Sequence, residues 1–189
     1  MNKPFEWTIQ DYYPNKHIGI YMYDDPEDKI YDFMATRSLD TNYDYHLRFE
    51  VETTARIIQK HDTIFNNTPV DMLLSPRITD ILLTLCPEQI QVFDAGIECK
   101  DGIVDTYKAI NILNEVDVSD PEKRRFNYLS DQKTVVGYER KGFFIKDAPM
   151  EPIHIARDKY SHATIIISAT LKEALEKAKI KGCRYWAGD

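Results

Sequence analysis

Asp71-Met72-Leu73-Leu74-Ser75-Pro76-Arg77-Ile78-Thr79-Asp80-Ile81-Leu82-Leu83-Thr84-Leu85-Cys86-Pro87, continuing through Glu88-Gln89-Ile90-Gln91-Val92-Phe93-Asp94-Ala95-Gly96-Ile97-Glu98-Cys99, is the stretch that decides the fold. Ser75 is placed to be a helix N-cap, its hydroxyl accepting from an unpaired backbone N–H of the first turn. Pro76 then occupies the first helical position, where its missing N–H costs nothing. Ile78, Ile81, Leu82 and Leu85 recur at helical spacing and form one apolar stripe. Pro87 stops the helix, and residues 90–99 read as an extended strand. A capped helix laid on a sheet is therefore the expected nucleus.

Upstream, residues 47–57 alternate over their whole length. Leu47, Phe49, Val51, Thr53, Ala55 and Ile57 point one way, and Arg48, Glu50, Glu52, Thr54 and Arg56 the other. That pattern predicts a half-buried strand of antiparallel type. Residues 18–23 read as a shorter strand, ended by the turn Asp24-Asp25-Pro26-Glu27-Asp28. Those acids lack the alternating ligands, central glycine and terminal glutamate of a calcium loop.

Downstream, the apolar residues of 90–99 change parity near Asp94-Ala95-Gly96, which suggests a bulge. Lys100-Asp101-Gly102 is a hairpin signal, with a return strand over residues 106–113. Residues 134–138 and 143–145 form a second expected hairpin across Lys141-Gly142. Residues 153–156 and 164–167 are short strands. Thr170 and Glu173 have capping-box spacing, with Ser168 a rival cap. Leu171, Ala174, Leu175 and Ala178 repeat the helical stripe, Gly182 suits the residue after the helix, and residues 183–186 form a final strand. The order predicts an α+β fold, a mainly antiparallel twisted sheet built from hairpins and covered by two or three helices. The length suits one domain, residues 1–189, with a β-rich, Tyr- and Asp-rich part over 1–70 and a helix-on-sheet part over 71–189.

The chain has 189 residues, 43% hydrophobic and 29% charged, the composition of a protein able to bury a core. Residues 1–14 lack a basic-then-apolar signal layout and no apolar run is long enough to span a membrane, so a cytoplasmic location is expected. Cys86, Cys99 and Cys183 are widely spaced with no Cys-x-x-Cys pair, which predicts packed, reduced thiols. Of the net charge of −7, −5 falls in residues 1–50. An acidic surface opposes nucleic-acid binding and favours a basic protein partner. Lys123-Arg124-Arg125 is the one basic cluster in the pattern, read as a loop or strand-edge device.

Catalytic patterns are not found. His17, His46, His61, His154 and His162 make no metal-ligand spacing, although His154 and His162 would converge if their flanking strands formed a hairpin. There is no Gly-x-Ser-x-Gly elbow and no glycine-rich phosphate loop. No cofactor is implied. The distinctive signal is aromatic: Tyr12, Tyr13, Tyr21, Tyr23, Tyr31, Tyr43 and Tyr45, seven of the twelve tyrosines, precede residue 46. Tyrosine interleaved with aspartate is a surface suited to a basic protein, because tyrosine buries much area at low entropic cost. Tyr21, Tyr23 and Tyr31 flanking Asp24, Asp25, Glu27 and Asp28 are the candidate partner-binding residues, with residues 116–125 the next candidate edge.

The Asp-apolar-apolar lead into the Ser75-capped helix resembles family eleven of the immunity proteins of bacterial polymorphic toxin systems. The likeness extends through Gln89-Ile90-Gln91-Val92-Phe93, Tyr107-Lys108-Ala109-Ile110-Asn111-Ile112, the Asp117 and Ser119 pair, and the closing strand–helix–Gly–strand order. It covers residues 71–186, with the first seventy matching only loosely. The resemblance implies a cytoplasmic protein that binds and blocks a cognate toxin, and it carries over no catalytic residue. Two other classes stay open on the residues alone: a small hydrolase-like enzyme around His154 and His162, and a homo-oligomeric adaptor. A cleft of convergent polar groups favours the first, and a broad acidic face favours the binder.

Overall fold

The structure is a computed structural model that describes residues 3–23, 29–131, 133–139 and 141–188. Its elements in order are β1 (Phe5–Ile9), β2 (Ile20–Tyr21), β3 (Arg48–Glu50), α1 (Ala55–Ile58), β4 (Thr63–Phe65), β5 (Met72–Leu74), α2 (Pro76–Leu85), β6 (Ile90–Asp94) and β7 (Gly96–Cys99). There follow β8 (Gly102–Val104), β9 (Lys108–Ile112), β10 (Glu115–Val116), β11 (Phe126–Tyr128), β12 (Val135–Tyr138), β13 (Ile155–Asp158), β14 (Ser161–Ile167), α3 (Ala169–Lys177) and β15 (Cys183–Trp186). The fold is α+β and mostly antiparallel, as the element pattern predicts. The strands fall into four sheets: β10-β13-β14-β1-β15, β4-β5-β9-β6, β2-β3-β7-β8 and the ribbon β11-β12. Only β3–β7 and β10–β13 pair in parallel among the named strands.

The sheet β4-β5-β9-β6 is buried on both faces. Met72, Leu74, Ile110 and Ile112 enter a core shared with α2, α3 and the β13-β14-β1-β15 strands. Leu73, Ile64 and Ala109 turn the other way, into a core built on Phe33, Leu47, Phe49, Ile58, Ile97 and Tyr107. Double burial explains why β5 reads as an unbroken apolar run instead of an alternating one.

The stripe on α2 behaves as expected: Ile78 and Leu82 are buried, with Ile81 and Leu85 packed partly buried against the same core. The cap does not. Ser75 has extended N-cap geometry, with φ −65° and ψ 159°, but its side chain makes no cap hydrogen bond. Its hydroxyl instead donates to Asp62 Oδ1 at 2.9 Å, because a buried carboxylate is a stronger partner than a backbone N–H is. Arg77 Nη1 reaches both oxygens of the same carboxylate at 3.1 Å, and the Lys181 backbone N–H donates to it at 3.0 Å. Ser75→Ala should therefore cost about 2 kcal/mol, the range for a hydrogen bond to a charged group. Ser75→Asp, favourable at an ordinary cap, should also destabilise by placing a second carboxylate against Asp62. Urea denaturation of both variants measures this; a stable Ser75→Asp protein would return the residue to a capping role.

Residues 90–99 are two strands rather than one bulged strand. The parity break at Asp94–Gly96 is where the chain leaves the β4-β5-β9-β6 sheet and joins β2-β3-β7-β8. The return strand β9 accordingly pairs with β6 and β5, while β7 forms the short Lys100–Gly102 hairpin with β8. Residues 47–57 are likewise divided. Burial alternates through Thr53, yet only Arg48–Glu50 is strand, antiparallel to β2 and parallel to β7, and Ala55–Ile58 is a helical turn. Asp101 Oδ1 accepts from the Ala55 N–H at 2.7 Å and so supplies the cap that Thr54 does not.

Three later expectations also change. β12 pairs with β11, in register Phe126↔Tyr138, and residues 143–145 are not a strand beyond the single bridge Ser119↔Ile145. Stacking of Phe126 on Tyr138 and Tyr160, with ring centroids 5.2 and 4.7 Å apart, favours that pairing. Ser168, not Thr170, caps α3 by accepting from the Leu171 N–H at 3.1 Å. Thr170 lies inside the helix and its hydroxyl donates to Glu151. The helix ends early, with Lys179 in the left-handed region at φ 55°. Gly182, at φ +101°, serves a different purpose: a Cβ there would lie 2.8 Å from the Thr63 carbonyl oxygen.

Candidate functional site

The candidate face is built on β2 and the segment entering β3. Tyr21 lies opposite Phe49 and packs on its ring at 5.5 Å, while its hydroxyl donates to the Tyr45 carbonyl at 3.1 Å. Tyr45 is buried against Phe33 and Phe93 at 5.3 and 5.4 Å, which anchors the segment in the core. Burial, aided by Asp32 and Asp40, pushes its phenol above the ordinary value. Tyr23 stacks on His46 at 4.4 Å and lies near the Tyr21 ring at 6.5 Å.

The structure thus brings Tyr21 and Tyr23 together and gives them different roles. Tyr21 is a half-buried strut; Tyr23 is 42% exposed. Tyr31 is 60% exposed on the 3-10 turn Lys29–Met34 and makes no ring contact with the other two among the described residues. Asp24, Asp25, Glu27 and Asp28 lie outside the described residues.

Beside Tyr23 and His46 opens a cleft of about 520 Å³ that the sequence pattern does not reveal. It is lined from three segments, by Asp44, His46 and Arg48, by Asp94, Ala95 and Gly96, and by Asp105 and Lys108. Its carboxylates each have one cationic or ring-nitrogen neighbour. Arg48 Nη1 meets Asp105 Oδ1 at 2.7 Å, Lys108 meets Asp94, and His46 Nδ1 lies 3.1 Å from Asp44 Oδ2. A Cβ at Gly96 would fall 1.9 Å from Arg48 Nη1, so glycine is what lets the guanidinium lie close against the backbone here. The carboxylates are open, with side chains 77% (Asp44), 90% (Asp94) and 67% (Asp105) exposed. Exposed pairs of this kind contribute little to stability, about 0–1 kcal/mol each.

His154 and His162 do not converge. β13 and β14 form the expected hairpin, but Ile155 pairs with Ile167 and Asp158 with Ser161, which puts the two histidines at opposite ends. His154 Nδ1 lies 2.9 Å from Ser168 Oγ, and His162 Nε2 2.8 Å from Glu115 Oε2. Among the described residues no group of three or more His, Cys, Asp or Glu side chains is arranged to hold a metal ion. No helix among them is long and apolar enough to cross a membrane. Cys86, Cys99 and Cys183 are free, and burial raises all three thiols above their ordinary value.

Fold and cleft together describe an α+β protein with open carboxylates beside an aromatic rim. Residues 20–189 match the immunity protein family (Imm11), and the chain belongs to that family. The match begins at Ile20, so residues 20–70, with Tyr21, Tyr23, Tyr31, Tyr43 and Tyr45, are part of the family region. Comparison with curated proteins gives no match.

Proposed function

We propose that this protein binds a cognate bacterial toxin in the cytoplasm and neutralises it by steric occlusion, without chemistry of its own. Family membership supports an immunity role. The observation that carries the mode of binding is the cleft: Asp44, Asp94 and Asp105 project into solvent beside the half-exposed Tyr23. A basic loop of the toxin would enter between the carboxylates, with Tyr23 and Tyr31 closing on its apolar parts. The acids Asp24, Asp25, Glu27 and Asp28 add to the field that draws it in.

Charge mainly sets the encounter rate, whereas buried aromatics set how long a complex lasts. Converting Asp44, Asp94 and Asp105 to asparagine should slow association with the toxin and flatten its salt dependence. Neutralising Asp24, Asp25, Glu27 and Asp28 as a second set should likewise slow association and flatten its salt dependence. Tyr23→Ala should instead speed dissociation, by about 2 kcal/mol in affinity for a hot-spot residue. Surface plasmon resonance separates the two effects. Association unchanged by both sets of neutralisations at low salt would remove this face as the toxin contact and direct attention to residues 116–125.

A further inference from the structure

The acidity of the chain conceals a strongly basic segment. Residues 123–146 hold seven of the 24 Lys and Arg but two of the 31 Asp and Glu, giving +5, so the remainder carries −12. This segment is the β11-β12 ribbon with its flanks, and among the described residues β11 and β12 pair only with each other. Arg124 fastens it to the body: Nη1 lies 3.1 Å from Asp117 Oδ2, and the guanidinium sits 5.0 and 4.9 Å from the Phe126 and Tyr160 ring centroids.

Other cations of the ribbon are uncommitted. Arg125, Lys133 and Lys141 are exposed and have no carboxylate partner among the described residues. Arg125 and Lys141 lie at the base, where the Arg125 N–H donates to the Gly142 carbonyl at 2.9 Å. Lys133 lies at the tip, in the turn that Asp131 closes by accepting from the Lys133 and Thr134 N–H groups. Between base and tip, Tyr128, Leu129 and Val136 are 51%, 51% and 55% exposed. The ribbon therefore exposes three large apolar side chains among its positive charges.

Its complement is on the same molecule. Ile20 and Met22 on the β2 segment are 51% and 46% exposed, next to Tyr23 and the carboxylates of Asp44 and Glu50. We infer that the β11-β12 ribbon is a self-association surface whose occupant is the acidic β2 face of a second copy of this chain. Ribbon against ribbon would oppose +5 to +5, so the contact is heterologous, one ribbon to one acidic face. Because it uses the face proposed for the toxin, a second copy and the toxin compete there. The inference shares that face but rests on the charge distribution, and it is tested without toxin, so its failure leaves the immunity reading standing.

Sedimentation velocity on the full chain is the experiment, at rising protein concentration in roughly 20 mM and roughly 500 mM NaCl, either side of the ionic strength at which the Debye length is about 10 Å. The expected result is a sedimentation coefficient that climbs with concentration at low salt and does not at high salt. A ribbon variant (Arg125→Glu, Lys133→Glu, Lys141→Glu) and a face variant (Asp44→Lys, Glu50→Lys, Asp94→Lys) should each remain monomeric. Mixed in equal amounts they should associate again, since each then meets the opposite charge. A wild-type protein that stays monomeric at low salt, association that survives ribbon reversal, or a mixture that does not associate overturns the inference. So does retention of the ribbon by a labelled single-stranded oligothymidylate or by phosphatidylglycerol vesicles in place of self-association.

Discussion

Arg157→Ala is expected to lower stability by about 3–5 kcal/mol, the cost of breaking a buried ion pair from one side. The Arg157 side chain is 1% exposed, and its Nη1 lies 2.8 Å from Asp71 Oδ2. The same guanidinium donates to the carbonyls of His162 and Pro69, so it ties the 69–71 turn to the β13–β14 hairpin. Asp71 itself sits in the left-handed region at φ 63°, a conformation aspartate tolerates better than most residues. Burial pushes its carboxyl up to about 6, against the opposing pull of Arg157. That value lies above the unfolded one of about 3.9, so between the two the folded protein holds a proton the unfolded chain has released. The stabilisation from this group is therefore full below about pH 4 and is lost as pH rises through about 6. Removing Arg157 takes away the only pull downward, so the Asp71 carboxyl moves higher still. The deficit of the variant should accordingly be larger at pH 8 than at pH 5. Urea unfolding at the two pH values measures this, and a deficit that shrinks with rising pH would contradict the assignment of burial as the dominant cause.

Leu82→Ala is the second large effect, about 2–5 kcal/mol, because it opens a cavity where α2 and α3 meet two sheets. Leu82 is fully buried in the core that contains Ile78, Ile110, Leu171 and Leu175. Leu83, one residue on and 45% exposed, provides the control: Leu83→Ala should stay within about 0.5 kcal/mol of wild type. The urea midpoint should fall for Leu82→Ala with the slope unchanged, as expected for a loss of packing without a change in the surface exposed on unfolding. A neutral Leu82→Ala would mean that the helical stripe is not core.

Short-range order was legible in this chain and long-range pairing was not. The helix over Pro76–Leu85, its apolar stripe and the turn at Lys100–Gly102 follow from spacing and from proline and glycine chemistry within a few residues. Asp71, Ser75 and Arg77 stood out in the same stretch, but their partners did not. Asp71 belongs to Arg157, and Ser75 and Arg77 to Asp62, through contacts no periodicity encodes. Parity located the break at Asp94–Gly96 correctly, yet a transfer between sheets and a bulge disturb alternation in the same way. Residues 55–58 show the converse: Ala55 and Ile57 continue a two-residue period that a single helical turn also permits. The candidate site was half readable. Its tyrosines form a compositional cluster, whereas the cleft needs Asp44, Arg48, Asp94, Asp105 and Lys108 from separate segments, joined only when β7 settles beside β3.

The place of β1 has a consequence for the order of events on the ribosome. It lies between β14 and β15, with Glu6 opposite Ile166 on one side and Trp186 on the other. During synthesis β1 therefore has no hydrogen-bonding neighbour until β14 has also emerged. Contacts of such long sequence separation form late because loop closure precedes their reward. The β4-β5-β9-β6 sheet, whose strands come from the middle of the chain, can assemble while β1 is still waiting. Between the synthesis of β1 and that of β14 a nascent chain thus has Phe5 and Trp7 uncovered and the sheet that will hold them unfinished, the period in which chaperone capture and aggregation compete with folding.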